Sequence, residues 1–285
     1  MALFAAIIFL AFFMQAAVAE NFYVSKIGNN SDGLSWASAW NEMNQINWNS
    51  INPGDTIWLA AGTYTTSLSP RASGTTGNLI YIKRVLSTDT APVNSPGWSS
   101  SFDSQVIIAP QNSSPIEWVD MANGSGSFIY IDGRIDSGIQ AKIANVSDVY
   151  AGSVSFGYNS GNQNDITFAN IDMAGPGGST VFNSNIAIFN AYTWNGSGFS
   201  VLSNINVTDS RIHGGPNLIR LVRSNGVVFQ HSKFYDNHAA NSSDVHPNLF
   251  DMDGTKNTTF RYNDISDWSV EGFMFFNSGP SGFPL

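Results

Sequence analysis

Apolar and polar positions in the second half of the chain fall into a repeating frame. Four segments align without gaps: ITFANIDMAG (166–175), INVTDSRIHG (205–214), VVFQHSKFYD (227–236) and TTFRYNDISD (258–267). Phe168, Val207, Phe229 and Phe260 share one column, and Met173, Ile212, Phe234 and Ile265 share another. Asp172, Arg211, Lys233 and Asp264 form a polar column between them. Each segment alternates as a strand does and is too short to bury its apolar face alone, so it must stack on its neighbours. The Phe168 column recurs after 39, 22 and 31 residues. A constant period would indicate a helical repeat or a propeller blade. A minimum near 22 with irregular additions indicates coils of a parallel β-helix with insertions in its loops.

Earlier apolar runs, IWLA (57–60), IYIK (80–83), VIIA (106–109) and FIYI (128–131), extend the frame, so most of residues 50–276 reads as successive coils. Arg220 and Asp251 each lie nine residues before a column phenylalanine, Phe229 and Phe260, and therefore share a column of their own, with Met274 next in line. Ile219, Leu221, Phe250 and Met252 flank them and should point inward. Asp251 should then face outward, about 4.8 Å from Arg220 on the adjacent coil. Ahead of the coils, SWASAWNEMNQINW (35–48) places Trp36, Trp40 and Met43 on one helical face. A short N-terminal capping helix here would cover the open first coil. No matching cap follows GFMFF, and the chain is expected to stop short of its last coils. The fold expected is thus all-β: a right-handed parallel β-helix with a short N-terminal capping helix.

Composition agrees and narrows the function. Charged residues make up only 12% of the 285, and Asn, Ser and Gly are abundant, which suits a β-rich chain with many polar turns. The net charge of −9 gives no electrostatic footprint for nucleic acid. Residues 1–19 run apolar and end in Ala17-Val18-Ala19, so they read as a signal peptide cut after Ala19, although no Lys or Arg precedes the apolar run. Residues 20–285 then form a single exported domain, a secreted monomer with no stable membrane insertion. With no cysteine, its stability must come from the core. Asn-x-Ser/Thr sequons begin at Asn29, Asn112, Asn123, Asn145, Asn195, Asn206, Asn241 and Asn257.

Three stretches carry a resemblance to a known family. NFYVSKIGNNSDGLSWASAW, NPGDTIWLAAGTYT and SGTTGNLIYIK resemble the N-terminal region of right-handed parallel β-helix proteins of the pectate-lyase-like superfamily, and HPNLFDMDGTKNTTFRYNDISDWSVEGFMFF resembles their coils. The resemblance implies the fold and leaves the reaction open. Its members include polysaccharide lyases, hydrolases, epimerases and coils without activity. It also implies calcium held by clustered aspartates and a Lys or Arg base. Where related coils carry Asp-Gly-Ile-Gln, this chain has Asn248-Leu249-Phe250-Asp251, so the first acidic position is absent.

Ionisable groups concentrate in one window. His213, His231, His238 and His246 are all the histidines, and six of the twelve basic residues (Arg211, Arg220, Arg223, Lys233, Lys256 and Arg261) lie close to them in sequence. Asp236, Asp244, Asp251 and Asp253 share the window, which marks it as a site. HAANSSDVHP (238–247) is an insertion beside a sheet face, where clefts are built. His231 shares a column with Asn170, Asp209 and Tyr262, which suggests a structural role.

β-Elimination on a uronic-acid polymer needs a group to neutralise the carboxylate, a base for the C5 proton and an acid for the leaving oxygen. Arg220, or calcium on Asp244, Asp251 and Asp253, would do the first. His246 or Lys233 would be the base. The expected catalytic residues are therefore Arg220, Lys233, His246 and Asp251, with substrate contacts from Arg223, His238, Arg261 and Trp268. The expected partner is an extracellular polysaccharide. Hydrolysis by paired carboxylates such as Asp251 and Asp253, or a non-catalytic carbohydrate-binding solenoid, are the alternatives. Trp118, Tyr192, Trp194 and Trp268 are expected as exposed aromatics that either stack on sugar rings or fill loops, and loop filling is the favoured use of each taken singly.

Overall fold

A computed structural model describes residues 18–111, 113–118, 126–144, 152–156, 162–176, 186–192, 202–237, 248–268 and 271–276. Their strands form three parallel sheets. Sheet 1 stacks Asn21–Val24, Thr56–Leu59, Ile80–Arg84, Ile129–Asp132, Gln163–Ala169, Leu202–Thr208, Ser224–Gln230 and Thr259–Arg261. Sheet 2 stacks Gly62–Tyr64, Val106–Ile108, Ile139–Lys142, Ile171–Ala174, Arg211–Gly215, Lys233–Asn237 and Asp264–Ile265. Sheet 3 stacks Ile116–Trp118, Val154–Phe156, Ala187–Tyr192, Asn217–Val222, Asn248–Asp253 and Glu271–Phe276. From residue 163 onward each coil visits sheets 1, 2 and 3 in turn and returns one rung further on, the right-handed winding of parallel crossovers.

The columns read from the sequence are rung partners. Phe168, Val207, Phe229 and Phe260 pair in sheet 1, and Met173, Ile212, Phe234 and Ile265 pair in sheet 2. Their phenylalanines pack edge to face across the lumen: Phe229 meets Phe189 at 5.5 Å and Phe234 at 5.9 Å, and it stacks on Phe260 at 5.0 Å. Of the four earlier apolar runs, three enter sheet 1, but Val106–Ile108 enters sheet 2. Apolar alternation reports the inward face and does not report which sheet a strand joins.

The corner between sheets 1 and 2 explains a further column. Asn170, Asp209, His231 and Tyr262 all adopt positive φ, between 51° and 58°. This left-handed step turns the chain within a residue, and among residues other than glycine Asn, Asp and His tolerate it best. The amides that leave the ladder here find side-chain acceptors: Ile171 N–H donates to Ser210 Oγ, Ser210 N–H to Ser232 Oγ, and Ser232 N–H to Asn263 Oδ1. His231 stacks on Tyr262 at 5.1 Å, in keeping with a structural role.

The first coil is covered, but not by a continuous helix over 35–48. Two 3-10 turns, Met43–Gln45 and Trp48–Ser50, follow an irregular segment. Carbonyls of Ala37 and Ala39 accept from Asn29 and Asn30, and Trp40 pairs with Val24 as a parallel bridge, so these backbone groups are taken by strand-like bonds. Trp40 and Met43 enter the main core, whereas Trp36 packs in a separate cluster with Tyr23, Trp58 and Phe102. Trp118 is buried rather than exposed, stacked on Phe156 at 4.6 Å with its Nε1 donating to Gly126 O. Among the described residues no helix is long and apolar enough to cross a membrane.

Candidate functional site

Sheet 3 presents the expected pair. Arg220 and Asp251 are rung partners, and Arg220 Nε donates to Asp251 Oδ2 at 3.0 Å. Both side chains are outward and half-buried, at 13% and 15% exposure, while Ile219, Leu221, Phe250 and Met252 fill the lumen. Their column continues from Ser155 through Asn190 to Arg220, Asp251 and Met274. Ser155 and Asn190 are buried although they face outward, so this face is well covered. Asp253 lies one pleat beyond Asp251, and its carbonyl accepts from the Arg223 N–H at the next corner.

Among the described residues, Lys233, Arg261 and Trp268 do not gather around that pair. Lys233 projects from sheet 2. Arg261 ends the last strand of sheet 1 and donates through Nε and Nη2 to Gln230 Oε1. Trp268 bridges to Asn237 at the far corner and is half exposed. His238, Asp244 and His246, with Trp194, lie outside the described residues. Outward residues that are close in sequence thus stand on three different faces.

The fit to calcium can be judged from the carboxylates in place. Asp251 already accepts from Arg220, and among the described residues no three His, Asp or Glu side chains converge. Calcium takes roughly six to eight oxygen ligands. Asp251 and Asp253 alone, beside a guanidinium, are too few, and Asp244, the third expected ligand, lies outside the described residues.

Sheet 2 holds a denser group. Asp172 is buried at 7% exposure, its Oδ1 2.8 Å from His213 Nε2 and its Oδ2 accepting from Gln140 Nε2 at 2.7 Å. Burial pushes the Asp172 carboxyl up, but the hydrogen bonds from His213 and Gln140 and the Arg211 charge outweigh it and hold it below the ordinary range. An ionised Asp172 only accepts, so His213 donates from Nε2, and in the neutral imidazole the lone pair is then on Nδ1. The imidazole stacks flat on Tyr235 of the next rung, with centroids 4.5 Å apart and 6° between planes. Burial, with the Asp172 charge, keeps the Tyr235 phenol protonated well into the alkaline range, against the pull of Arg211.

Cations complete this face. Arg211 pairs with Asp136, and exposed Lys233 follows Arg211 in the same column. A cavity of about 270 Å³ opens beside them, lined also by Asn170, Asp209, Ser210 and His231. The face therefore offers an oriented base, a neutral phenol and two cations within three rungs. The sequence pointed to Lys233 and to the Asp172–Arg211 column. It missed the Asp172–His213 contact, which runs diagonally between columns two residues apart.

A solenoid of three parallel sheets with corners in the left-handed region is a right-handed parallel β-helix. No protein-family model and no curated protein matches the sequence. Solved structures similar to it include pectate lyase Pel9A, 14% identical with a TM-score of 0.49 over 86% of this chain and 62% of that one. The GH136 lacto-N-biosidase from Eubacterium ramulus is 12% identical with a TM-score of 0.47, over 86% and 55%. A rhamnogalacturonan lyase is 12% identical with a TM-score of 0.46, over 94% and 64%. The chain thus spans less than two thirds of the length of these structures.

Proposed function

We propose that this protein is an exported, monomeric, carbohydrate-active β-helix that cleaves an acidic glycan by β-elimination. The observation that supports the reading is His213, fixed by the buried Asp172 and stacked on Tyr235, with Arg211 and Lys233 on the same open face. Arg211 and Lys233 pair with the uronate carboxylate and so favour loss of the neighbouring proton. His213 Nδ1 takes the C5 proton, the C5–H electron pair becomes the C4=C5 bond, and the C4–O bond breaks. The leaving oxygen takes the Tyr235 hydroxyl proton, and solvent restores both side chains. Asp172 holds the ring and stabilises the imidazolium.

A second placement of the same reaction is favoured by the half-buried Arg220–Asp251 pair on sheet 3. There Arg220 pairs with the uronate carboxylate beside Asp251; Arg223 is buried at 6% exposure, and His246 and His238, the expected base and substrate contact, lie outside the described residues. One experiment separates the two. Mature protein is incubated with a panel of polyuronans, with and without calcium, and unsaturated ends are followed by absorbance near the ultraviolet edge. Signal that His213→Ala abolishes and Arg220→Ala retains supports sheet 2, and the reverse pattern supports sheet 3. A calcium requirement would bring Asp244, Asp251 and Asp253 back as ligands. Reducing ends without absorbance would mean hydrolysis. Binding without either product would mean a non-catalytic module.

A further inference from the structure

Sheet 1 carries outward residues that neither placement uses. Tyr81 and Tyr130 are rung partners, half-buried on the outer face, with ring centroids 5.9 Å apart. Lys83, on the same face, holds its Nζ 4.1 Å from the Tyr81 ring centroid. Burial, and then the Arg134 charge, press that ammonium below its ordinary range, and burial raises the Tyr130 phenol. The tyrosine column continues rung by rung through Thr167, Asn206 and Val228. Those three line a groove of about 310 Å³ with Leu79, Asp165 and Asn204.

We propose that this face is a second glycan-binding surface, a track for a neutral oligosaccharide chain laid along the solenoid axis. Each rung brings a new row of side chains about every 4.8 Å, so a chain running this way meets a regular series of contacts. A pyranose has an apolar C–H face and a hydroxyl edge. A tyrosine matches the first with its ring and the second with its phenol. Asn204 and Asn206 are exposed and offer donors and acceptors together, which suits vicinal hydroxyls.

The same observations disfavour other occupants. Among the described residues the groove has one carboxylate, Asp165, which Asn204 Nδ2 approaches at 3.4 Å, and no cation lines it. In the groove an anionic polymer therefore meets a carboxylate rather than a cation, Lys83 lying at the tyrosine end of the face. Two tyrosines are too small an apolar patch for a stable protein interface. The Lys83 contact holds Tyr81 in place before binding, which lowers the ordering cost.

The test reads binding, so it stands apart from the proposed reaction. The protein is made in a host without N-glycosylation, because Asn206-Val207-Thr208 is an acceptor sequence. Affinity electrophoresis and calorimetry use xylan and glucomannan as neutral polymers and polygalacturonate as the acidic one. The wild type is expected to be retarded by at least one neutral polymer. Tyr130→Ala and Asn206→Ala should each weaken that binding tenfold or more, while His213→Ala leaves it unchanged. Asn206 is exposed, so its variant tests the track even if Tyr130→Ala unfolds. No retention by either neutral polymer, full retention in Asn206→Ala, or loss in His213→Ala would each overturn the proposal.

Discussion

His213 Nε2 lies 2.8 Å from Asp172 Oδ1, joining two residues 41 positions apart through adjacent rungs of one sheet. The contact is diagonal: Asp172 pairs in register with Arg211, and Ala174 pairs with His213. Because Asp172 is ionised and both its oxygens are used, the imidazole has one orientation and one tautomer. Removing the ring by His213→Ala is expected to lower turnover on a responsive polyuronan about 10²–10⁴-fold, the usual range for a positioned base. Tyr235→Phe should lower kcat while leaving circular dichroism and substrate affinity near the wild type.

Asp172 also ties stability to acid. Its folded-state carboxyl titrates below its ordinary value, so it contributes stability that is fully present above the unfolded value, about 4. That contribution is lost as pH falls through the lower folded value. Asp172→Asn should therefore be less stable than the wild type at pH 7, and the gap should narrow below pH 4. Thermal melts across that range check the sign. A gap that widens in acid would contradict it.

Arg220 and Asp251 test whether a half-buried rung pair is structural. A double-mutant cycle with Arg220→Met and Asp251→Leu is expected to give a coupling of about 1 kcal/mol. Arg220→Met alone should cost more than the double variant, because it leaves a carboxylate without this guanidinium on a covered face. Urea melts of the four proteins supply the cycle.

Phe229 tests the lumen. It is fully buried and touches Phe189, Phe234 and Phe260. Phe229→Ala should cost about 3–5 kcal/mol through the cavity it leaves. Denaturant midpoints will measure it, and the neighbouring rungs should lose amide protection together.

Asn170 tests the corner. At φ 58° a β-branched side chain is strained, so Asn170→Val should cost about 1–2 kcal/mol beyond the loss of the hydrogen bond from Nδ2 to Asp132. Asn170→Gly, which loses the same bond without the strain, isolates the backbone term.

Much of the fold was legible because strand periodicity is strict. Gapless columns through Phe229 and Ile212 set the register, counting back nine residues placed Arg220 beside Asp251, and continuing the pattern through GFMFF put Met274 next. The covering segment was less legible. Trp36, Trp40 and Met43 match a helical spacing, yet Trp36 serves a different cluster, because backbone bonds to Asn29, Asn30 and Val24 hold the chain in an irregular path. The candidate site was half legible. Lys233 was picked out and its neighbour His213 was noted, but nothing local joins His213 to Asp172.

By itself the sequence determined which residues of the aligned coils point inward and which of those rungs are partners, because alternation along a strand is a local property. Only the tertiary structure decided which outward residues share a face. Arg220, Lys233 and Arg261 fall within 42 positions of one another and stand on sheets 3, 2 and 1. Each corner redirects the chain, so closeness in sequence scatters side chains around the solenoid, while the stacking of rungs brings together Asp172 and His213 from successive coils.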